Sequence, residues 1–239
     1  MTVNQTNVAD SPPANTSIAA SSRPSFLAKG EIVNVLVGQD KTRYKLHKVL
    51  LTAKSPYFAT SLKDCWNGKT NDIDLTDEDT SAFDVFVDWL YEGSIGVPRS
   101  IGVGEDLFAT HTILTLKVFR LAEKFMINEM KNSLLDAVKD CFAKRRHSAN
   151  ILALSDLHSH EGSDTQLYRM FLRDCVARYM KSPACFEGDK NGMGELMEDP
   201  KVAKDMLENI REYNKAPWGF MYEAEGCEYH DHTDGSKCD

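Results

Sequence analysis

The feature that most constrains the fold is a change in the spacing of apolar residues along the chain. Residues 31–38 (EIVNVLVG) carry a valine at every second position, residues 38–41 (GQDK) are turn formers, and residues 43–46 (RYKL) alternate again. Alternation on both sides of a turn predicts a β-hairpin. From residue 76 onwards the apolar residues instead recur at every third or fourth position, which is typical of amphipathic helices. A small sheet combined with helices indicates an α+β protein.

Capping signals and periodicity locate the other elements. Ser55-Pro56 has the form of a helix N-cap followed by proline, and Thr76-Asp77-Glu78-Asp79 has the form of a capping box. The stripe through Phe86 and Leu90 is expected to pack against a later helix pair. Helices are predicted at residues 47–54 and 57–62, from the capping box to about residue 91, and as a pair within residues 112–142. Three more are predicted at 148–157, 168–179 and 200–210. Short strands are predicted at 72–75 and 94–98, and a loop at 99–110.

Composition and charge limit the possible functions. The chain has 28 Lys and Arg against 36 Asp and Glu, a net charge of −8, and residues 223–239 hold six acidic residues against one lysine. A chain this acidic is unsuited to binding nucleic-acid phosphates without sequence specificity. We find no secretory signal and no apolar run of the roughly 20 residues that a membrane helix needs. The six cysteines are therefore expected to be reduced thiols in the cytoplasm or the nucleus.

Five sequence blocks resemble those of the BTB/POZ domain, in the same order and at similar distances. They are NVLVG (34–38), HKVLLTAKSPYF (47–58), IDLTDED (73–79), FDVFVDWLYEGSI (83–95) and LTLKVFRLAEKFMI (114–127). The resemblance covers about residues 28–143. In its organisation the chain resembles the stand-alone BTB proteins of filamentous fungi. It implies a small, mainly three-stranded sheet covered by a helix cluster. Residues 1–25 are then expected to be disordered, residues 144–215 to form a helical extension, and residues 216–239 to form an acidic, flexible tail.

The resemblance also implies roles for individual residues. Structural family positions are Asn34, His47, Tyr57, Phe58, Trp89 and Tyr91. His47 is expected to be satisfied by the backbone or by Asn34, which stands where many members have Asp. Core aromatic residues are expected at Tyr57, Phe58, Phe83, Phe86, Trp89, Tyr91 and Phe119.

The function implied by the resemblance is protein–protein interaction, not catalysis. Its most specific form is an adaptor that brings partners to a cullin ubiquitin ligase, and the alternative is a homo-oligomerising scaffold or nuclear regulator. Cullin-binding members often have a hydrophobic residue, any residue and Glu after the second short helix, where this chain has Trp66-Asn67-Gly68. The expected partner surface consists of Tyr57, Ser61, Lys63, Asp64, Trp66 and Asp84. Trp66 is the expected centre of binding, although it could instead fold back onto its own helix.

No sequence motif predicts catalysis or a cofactor. A third hypothesis, a zinc-binding protein, rests on the C-terminal residues Cys227, His230, His232 and Cys238, whose types suit zinc. Their spacing is not that of a common zinc finger, so an unstructured acidic tail is the favoured interpretation. His158 and His160 are interpreted as a polar helix end. The basic run 144–147 is interpreted as a helix C-terminus, with a nuclear signal as the alternative.

Overall fold

The computed structural model describes residues 30–64, 72–95, 107–145, 154, 157, 158, 165–181 and 198–232. Among them are three strands, seven helices and a short 3₁₀ turn. The strands are β1 (Ile32–Val37), β2 (Thr42–His47) and β3 (Asp72–Leu75). The helices are α1 (Lys48–Lys54), α2 (Pro56–Asp64), α3 (Thr80–Glu92), α4 (Leu107–Lys124), α5 (Asn128–Arg145), α6 (Gln166–Lys181) and α7 (Pro200–Lys215), and the 3₁₀ turn is Met221–Glu223. None of these helices is long and apolar enough to span a bilayer.

The predicted hairpin forms and is joined by one further strand. The sheet order is β2-β1-β3, with β1 antiparallel to β2 and parallel to β3. The valines at 33, 35 and 37 are buried, as their alternation predicts. Gly38 begins the turn at φ +75°, in the left-handed region that favours glycine, and a Cβ there would lie 2.9 Å from the Thr80 methyl carbon.

Helix α3 begins three residues later than a capping box at Thr76 would require. Its N-cap is Asp79, whose side chain accepts the Ala82 backbone N–H at 3.1 Å. Thr76 instead donates both its backbone N–H and its hydroxyl to Asp74, at 3.0 and 2.7 Å. The tight turn after β3 uses Thr76, and the next carboxylate in the chain caps the helix.

An aromatic cluster fills the space between the sheet and the helices. The Phe86 ring lies 5.9 Å from Phe58 and 5.1 Å from Phe125, and Phe86 and Leu90 are buried as predicted. Two of the expected core aromatics differ. Tyr57 is half-buried, and Tyr91 is 41% exposed because it lies at the end of α3, beyond the core-facing stripe.

The helix pair α4 and α5 confirms the predicted stripes and corrects the region before them. Helix α4 starts at Leu107, so residues 107–110 of the predicted loop are helical. The two helices join at a sharp turn in which Met126 has φ +56° and Ile127 is buried. Residues 94 and 95 of the predicted fourth strand are not in a strand, and its other residues lie outside the described part.

The C-terminal helices pack as the sequence predicts. Asp199 caps α7 by accepting the backbone N–H groups of Lys201 and Val202, and Pro200 occupies the first turn. The Tyr168 hydroxyl of α6 donates to the Asp205 carboxylate of α7 at 3.0 Å. Of the predicted helix 148–157, residues 154 and 157 are helical and buried, and its other residues lie outside the described part.

The prediction of a flexible tail from residue 216 is wrong for residues 218–232. Met221 is 1% exposed and Tyr229 is 7% exposed, and the Trp218 indole N–H donates to the Arg173 carbonyl at 3.0 Å. We call residues 218–232 the C-terminal strap. The acidic composition of this segment predicted a flexible tail, but its apolar side chains pack against helices that lie far away in the sequence. Residues 233–239 and the predicted disordered segment 1–25 lie outside the described residues.

Candidate interaction surface

Helix α2 carries four of the six residues expected to contact a partner, and a fifth, Trp66, follows the helix in the sequence. It is held by Ser55, a buried residue whose hydroxyl donates to the Phe125 carbonyl at 2.8 Å and accepts the Phe58 N–H at 3.3 Å. The predicted Ser55-Pro56 start is therefore confirmed. The same hydroxyl fastens the helix to the turn between α4 and α5, so α2 presents its outer face on a fixed support.

The expected partner residues on α2 differ in exposure. Lys63 is exposed, Ser61 is half-buried, and the half-buried Tyr57 has its ring 5.3 Å from Phe125 and 5.2 Å from Phe58. Tyr57 therefore belongs to the core as well as to the surface. The side chain of Asp64 and all of Trp66 lie outside the described residues, so the expected centre of the surface stays a prediction.

Asp84, the sixth expected residue, is exposed on α3 but has a partner within the fold. Its carboxylate accepts the Tyr44 hydroxyl of β2 at 2.7 Å. Burial and this hydrogen bond raise the pKa of Tyr44 to about 12. The contact places Asp84 beside the edge strand of the sheet, and it joins α3 to β2.

The structural family positions connect strands and helices. The Asn34 amide donates to the Asp72 carboxylate at 2.8 Å and so bridges β1 and β3. The His47 Nδ1 lies 2.7 Å from the Tyr91 hydroxyl, whereas the sequence predicts the backbone or Asn34 as its partner. Trp89 is buried, with the Lys54 ammonium 4.3 Å from its ring centroid.

Three exposed apolar side chains are connected to His47 by strand pairing, by a hydrogen bond or by sequence position. Ile32 is the cross-strand partner of His47, Tyr91 bonds its ring, and Val49 follows two residues later. All three are more than 40% exposed. We call Ile32, Val49 and Tyr91 the His47 patch. The sequence signal for this patch is the position of Ile32. It is apolar, but it belongs to the face of β1 opposite the buried valines, so an exposed apolar side chain is expected there.

The C-terminal strap is attached to α6 through a buried carboxylate that no sequence pattern indicates. Asp174 accepts the Met221 backbone N–H at 3.0 Å and the Arg178 Nε–H at 2.6 Å. Next to it, burial raises the pKa of the Cys175 thiol to about 12. That thiol stays protonated near neutral pH, so it lacks the thiolate that a nucleophile needs.

The predicted metal-ligand residues are partly brought together. Donor atoms of Cys227, His230 and His232 all lie within 4.8 Å of one another, whereas Cys238 lies outside the described residues. His158 packs against the Tyr168 ring, with its Nε2 3.9 Å from an Asp205 carboxylate oxygen. His160 and the side chains of 144–147 lie outside the described part.

A comparison with protein families agrees with this architecture. A family model described as the BTB/POZ domain matches residues 25–139. A structure of the BTB (Tramtrack and Bric a brac) domain of human gigaxonin is 18% identical to the chain, covers 54% of it and 97% of its own length, and superposes with a TM-score of 0.33. No curated protein matches. With a three-stranded sheet under a helix cluster in the matched region, the chain contains a BTB/POZ domain, which is a protein–protein interaction module.

Proposed function

We propose that the chain is a non-enzymatic adaptor that binds a protein partner through α2 and the residues that follow it. The observation that most supports this proposal is the way in which α2 is attached to the core. Its start is tied to the core through Ser55, and its end carries the exposed Lys63. A rigid support lowers the conformational entropy that a binding surface loses when a partner docks.

The most specific form of this proposal has a cullin as the partner. The resemblance to cullin-binding members extends to the hydrophobic position after α2, where this chain has Trp66. The acidic position of the same pattern is Gly68, so the apolar contact would have to provide most of the binding. Tryptophan is enriched at the centres of interfaces, where one side chain can contribute more than about 2 kcal/mol.

The test is direct binding of the purified full chain to a cullin N-terminal region, measured by calorimetry. Trp66→Ala should weaken binding by about 30-fold or more, which corresponds to the 2 kcal/mol threshold for such residues. Leu207→Ala removes an exposed apolar side chain from α7 and should bind like the parent. A folded Trp66→Ala protein that binds at parental strength would exclude this surface, and absence of binding by the parent would exclude the cullin.

A second candidate function, homo-oligomerisation, is favoured by the His47 patch. Large apolar side chains clustered on a surface often mark an interface. Light scattering after size-exclusion chromatography should give a dimer for the parent and a monomer for the double variant Ile32→Lys, Val49→Lys. The control is Leu207→Lys, which places the same charge at an exposed leucine of α7. A monomeric parent, or a double variant with the mass of the parent, would contradict this function.

A further inference from the structure

The C-terminal strap ends in a cluster of three metal-ligating side chains. We propose that Cys227, His230 and His232 bind a divalent ion of the zinc class, and that this ion fastens the strap to the helices beneath it. The three donor atoms, one from each residue, all lie within 4.8 Å of one another. This site is separate from the proposed partner surface on α2, and neither proposal depends on the other.

The local backbone explains how residues so close in sequence converge. Residues 226–229 form a turn that begins at Gly226, with φ +59°, and the His230 N–H donates to the Cys227 carbonyl at 3.1 Å. That bond closes the turn between the first two of the three residues. Residues 230–232 are neither helical nor in a turn, and in extended backbone side chains two residues apart share a side. The His230 and His232 ring centroids are accordingly 5.9 Å apart.

The residues between the ligands anchor the cluster to the fold. The Asp231 backbone exchanges two hydrogen bonds with the Asn132 side chain of α5, its N–H donating at 2.9 Å and its carbonyl accepting at 3.1 Å. Tyr229 is buried, and Glu228 pairs with Arg173 of α6. The ligands therefore stand on backbone that is already held in place, which lowers the entropic cost of assembling a metal site.

A carboxylate on α5 lies within hydrogen-bonding distance of one of the proposed ligands. The His230 Nε2 lies 3.0 Å from the Asp136 carboxylate, and the imidazole side chain is 7% exposed. With the Nε2 proton donated to Asp136, the lone pair of the ring is on Nδ1, and we assign Nδ1 as the donor to the metal. Imidazole ligands in proteins usually have such a carboxylate or carbonyl partner, which orients the ring and makes it more basic.

The donor types select the class of ion. One thiolate with two imidazoles suits zinc and its close relatives, whereas calcium and magnesium take oxygen ligands. Bonds of about 2.0–2.3 Å in a tetrahedron separate the donors by roughly 3.3–3.8 Å. Movements of roughly 1 Å would therefore close the cluster around an ion. A water molecule would complete the tetrahedron.

The test is titration of the metal-free full chain with Co²⁺, whose absorption reports thiolate ligation and tetrahedral geometry. One equivalent should bind, with a thiolate-to-cobalt charge-transfer band, and Zn²⁺ should abolish the spectrum by displacing the cobalt. Cys227→Ser should lose the charge-transfer band, and His232→Asn should weaken binding at least 100-fold. Cys65→Ser, which removes a thiol of the BTB domain, should bind like the parent.

Asp136→Asn separates a metal site from a general effect on folding, because it keeps all three ligands. Loss of a supporting carboxylate should weaken metal binding about 10- to 100-fold. In the parent, one equivalent of Zn²⁺ should raise the melting temperature, and a chelator should reverse the rise. A parent that binds no cobalt, a Cys227→Ser protein with an unchanged cobalt spectrum, or an Asp136→Asn protein with parental affinity would overturn the proposal.

Discussion

Ser55 shows how one small side chain can connect two distant parts of the fold. Its hydroxyl caps α2 by accepting the Phe58 N–H and donates to the Phe125 carbonyl, 70 residues further along the chain. The residue is 1% exposed, so neither bond can be replaced by water without rearrangement. Because α2 carries the expected partner surface, this buried hydroxyl also determines where that surface lies.

We predict that Ser55→Ala lowers the free energy of unfolding by about 2–4 kcal/mol. The loss combines an N-cap, worth about 1 kcal/mol, with a buried carbonyl left unsatisfied, at about 1–3 kcal/mol. Urea denaturation at pH 7 measures it. Thr60→Ala is the control, since the exposed Thr60 hydroxyl only donates to the Pro56 carbonyl in its own helix. Equal losses for the two variants would contradict the role given to Ser55.

At the scale of elements, helix α3 is defined at both ends by specific residues. Asp79 caps its start and also accepts the Lys117 ammonium of α4 at 2.6 Å, while Gly93 ends it with φ +76° and an N–H bond to the Trp89 carbonyl at 2.8 Å. Desolvation raises the pKa of the Asp79 carboxyl, but hydrogen bonds from Lys117 and the Ala82 N–H outweigh it and leave the pKa below its usual value. The ionised form is therefore favoured in the folded protein.

The sign of this pKa shift predicts a pH dependence. A carboxyl with a lowered folded pKa stabilises the fold above its unfolded pKa of about 3.9, and that contribution is lost as the pH falls through the folded pKa. Asp79→Ala should therefore cost about 1 kcal/mol at pH 7, and the difference from the parent should shrink below pH 4. Urea denaturation across pH 3–7 tests this. Asp88→Ala, in the exposed middle of α3, is the control, because a residue there caps neither end of the helix.

On the scale of the whole molecule, the C-terminal strap joins two helices that are far apart in sequence. It reaches α6 through Asp174 and through Trp218, and α5 through Asn132. Asp174 is fully buried, and its charge is balanced by Arg178. Removing one partner of a buried charged group is strongly destabilising, because the other is left without compensation.

We predict that deleting residues 216–239 lowers the melting temperature by roughly 10 °C. The deletion exposes the surfaces that bury Met221 and Tyr229, each worth about 1.5–3 kcal/mol, and 1 kcal/mol corresponds to about 2–4 °C at this chain length. Measuring both melting temperatures by calorimetry in the presence of a chelator excludes any contribution from a bound metal ion. Deleting residues 1–24 is the comparison and should leave the transition nearly unchanged, because their composition offers no packing face. Equal melting temperatures for the parent and the C-terminal deletion would show that the strap is not part of the cooperative unit.

The candidate partner surface could be predicted only in part. Sequence placed Ser61 on a short helix, because a capping signal and a helical pattern are local, but it ended that helix at residue 62, and the structure extends it through Lys63. It did not show that Tyr57 packs on Phe125, nor that Asp84 accepts the Tyr44 hydroxyl, since both contacts join elements 40 or more residues apart. Partners at that distance leave no trace in spacing or composition.

The sequence by itself determined the elements and their order, because strand alternation, helical periodicity and caps act over a few residues. The valines of β1, the stripe of α3 and the Asp199 cap of α7 follow from it directly. Tertiary structure alone decided that acidic residues 218–232 are a packed strap, and that Cys227, His230 and His232 meet above Asp136. The physical reason is that these features depend on surfaces offered by α5 and α6, and only the folded chain brings those surfaces to the strap.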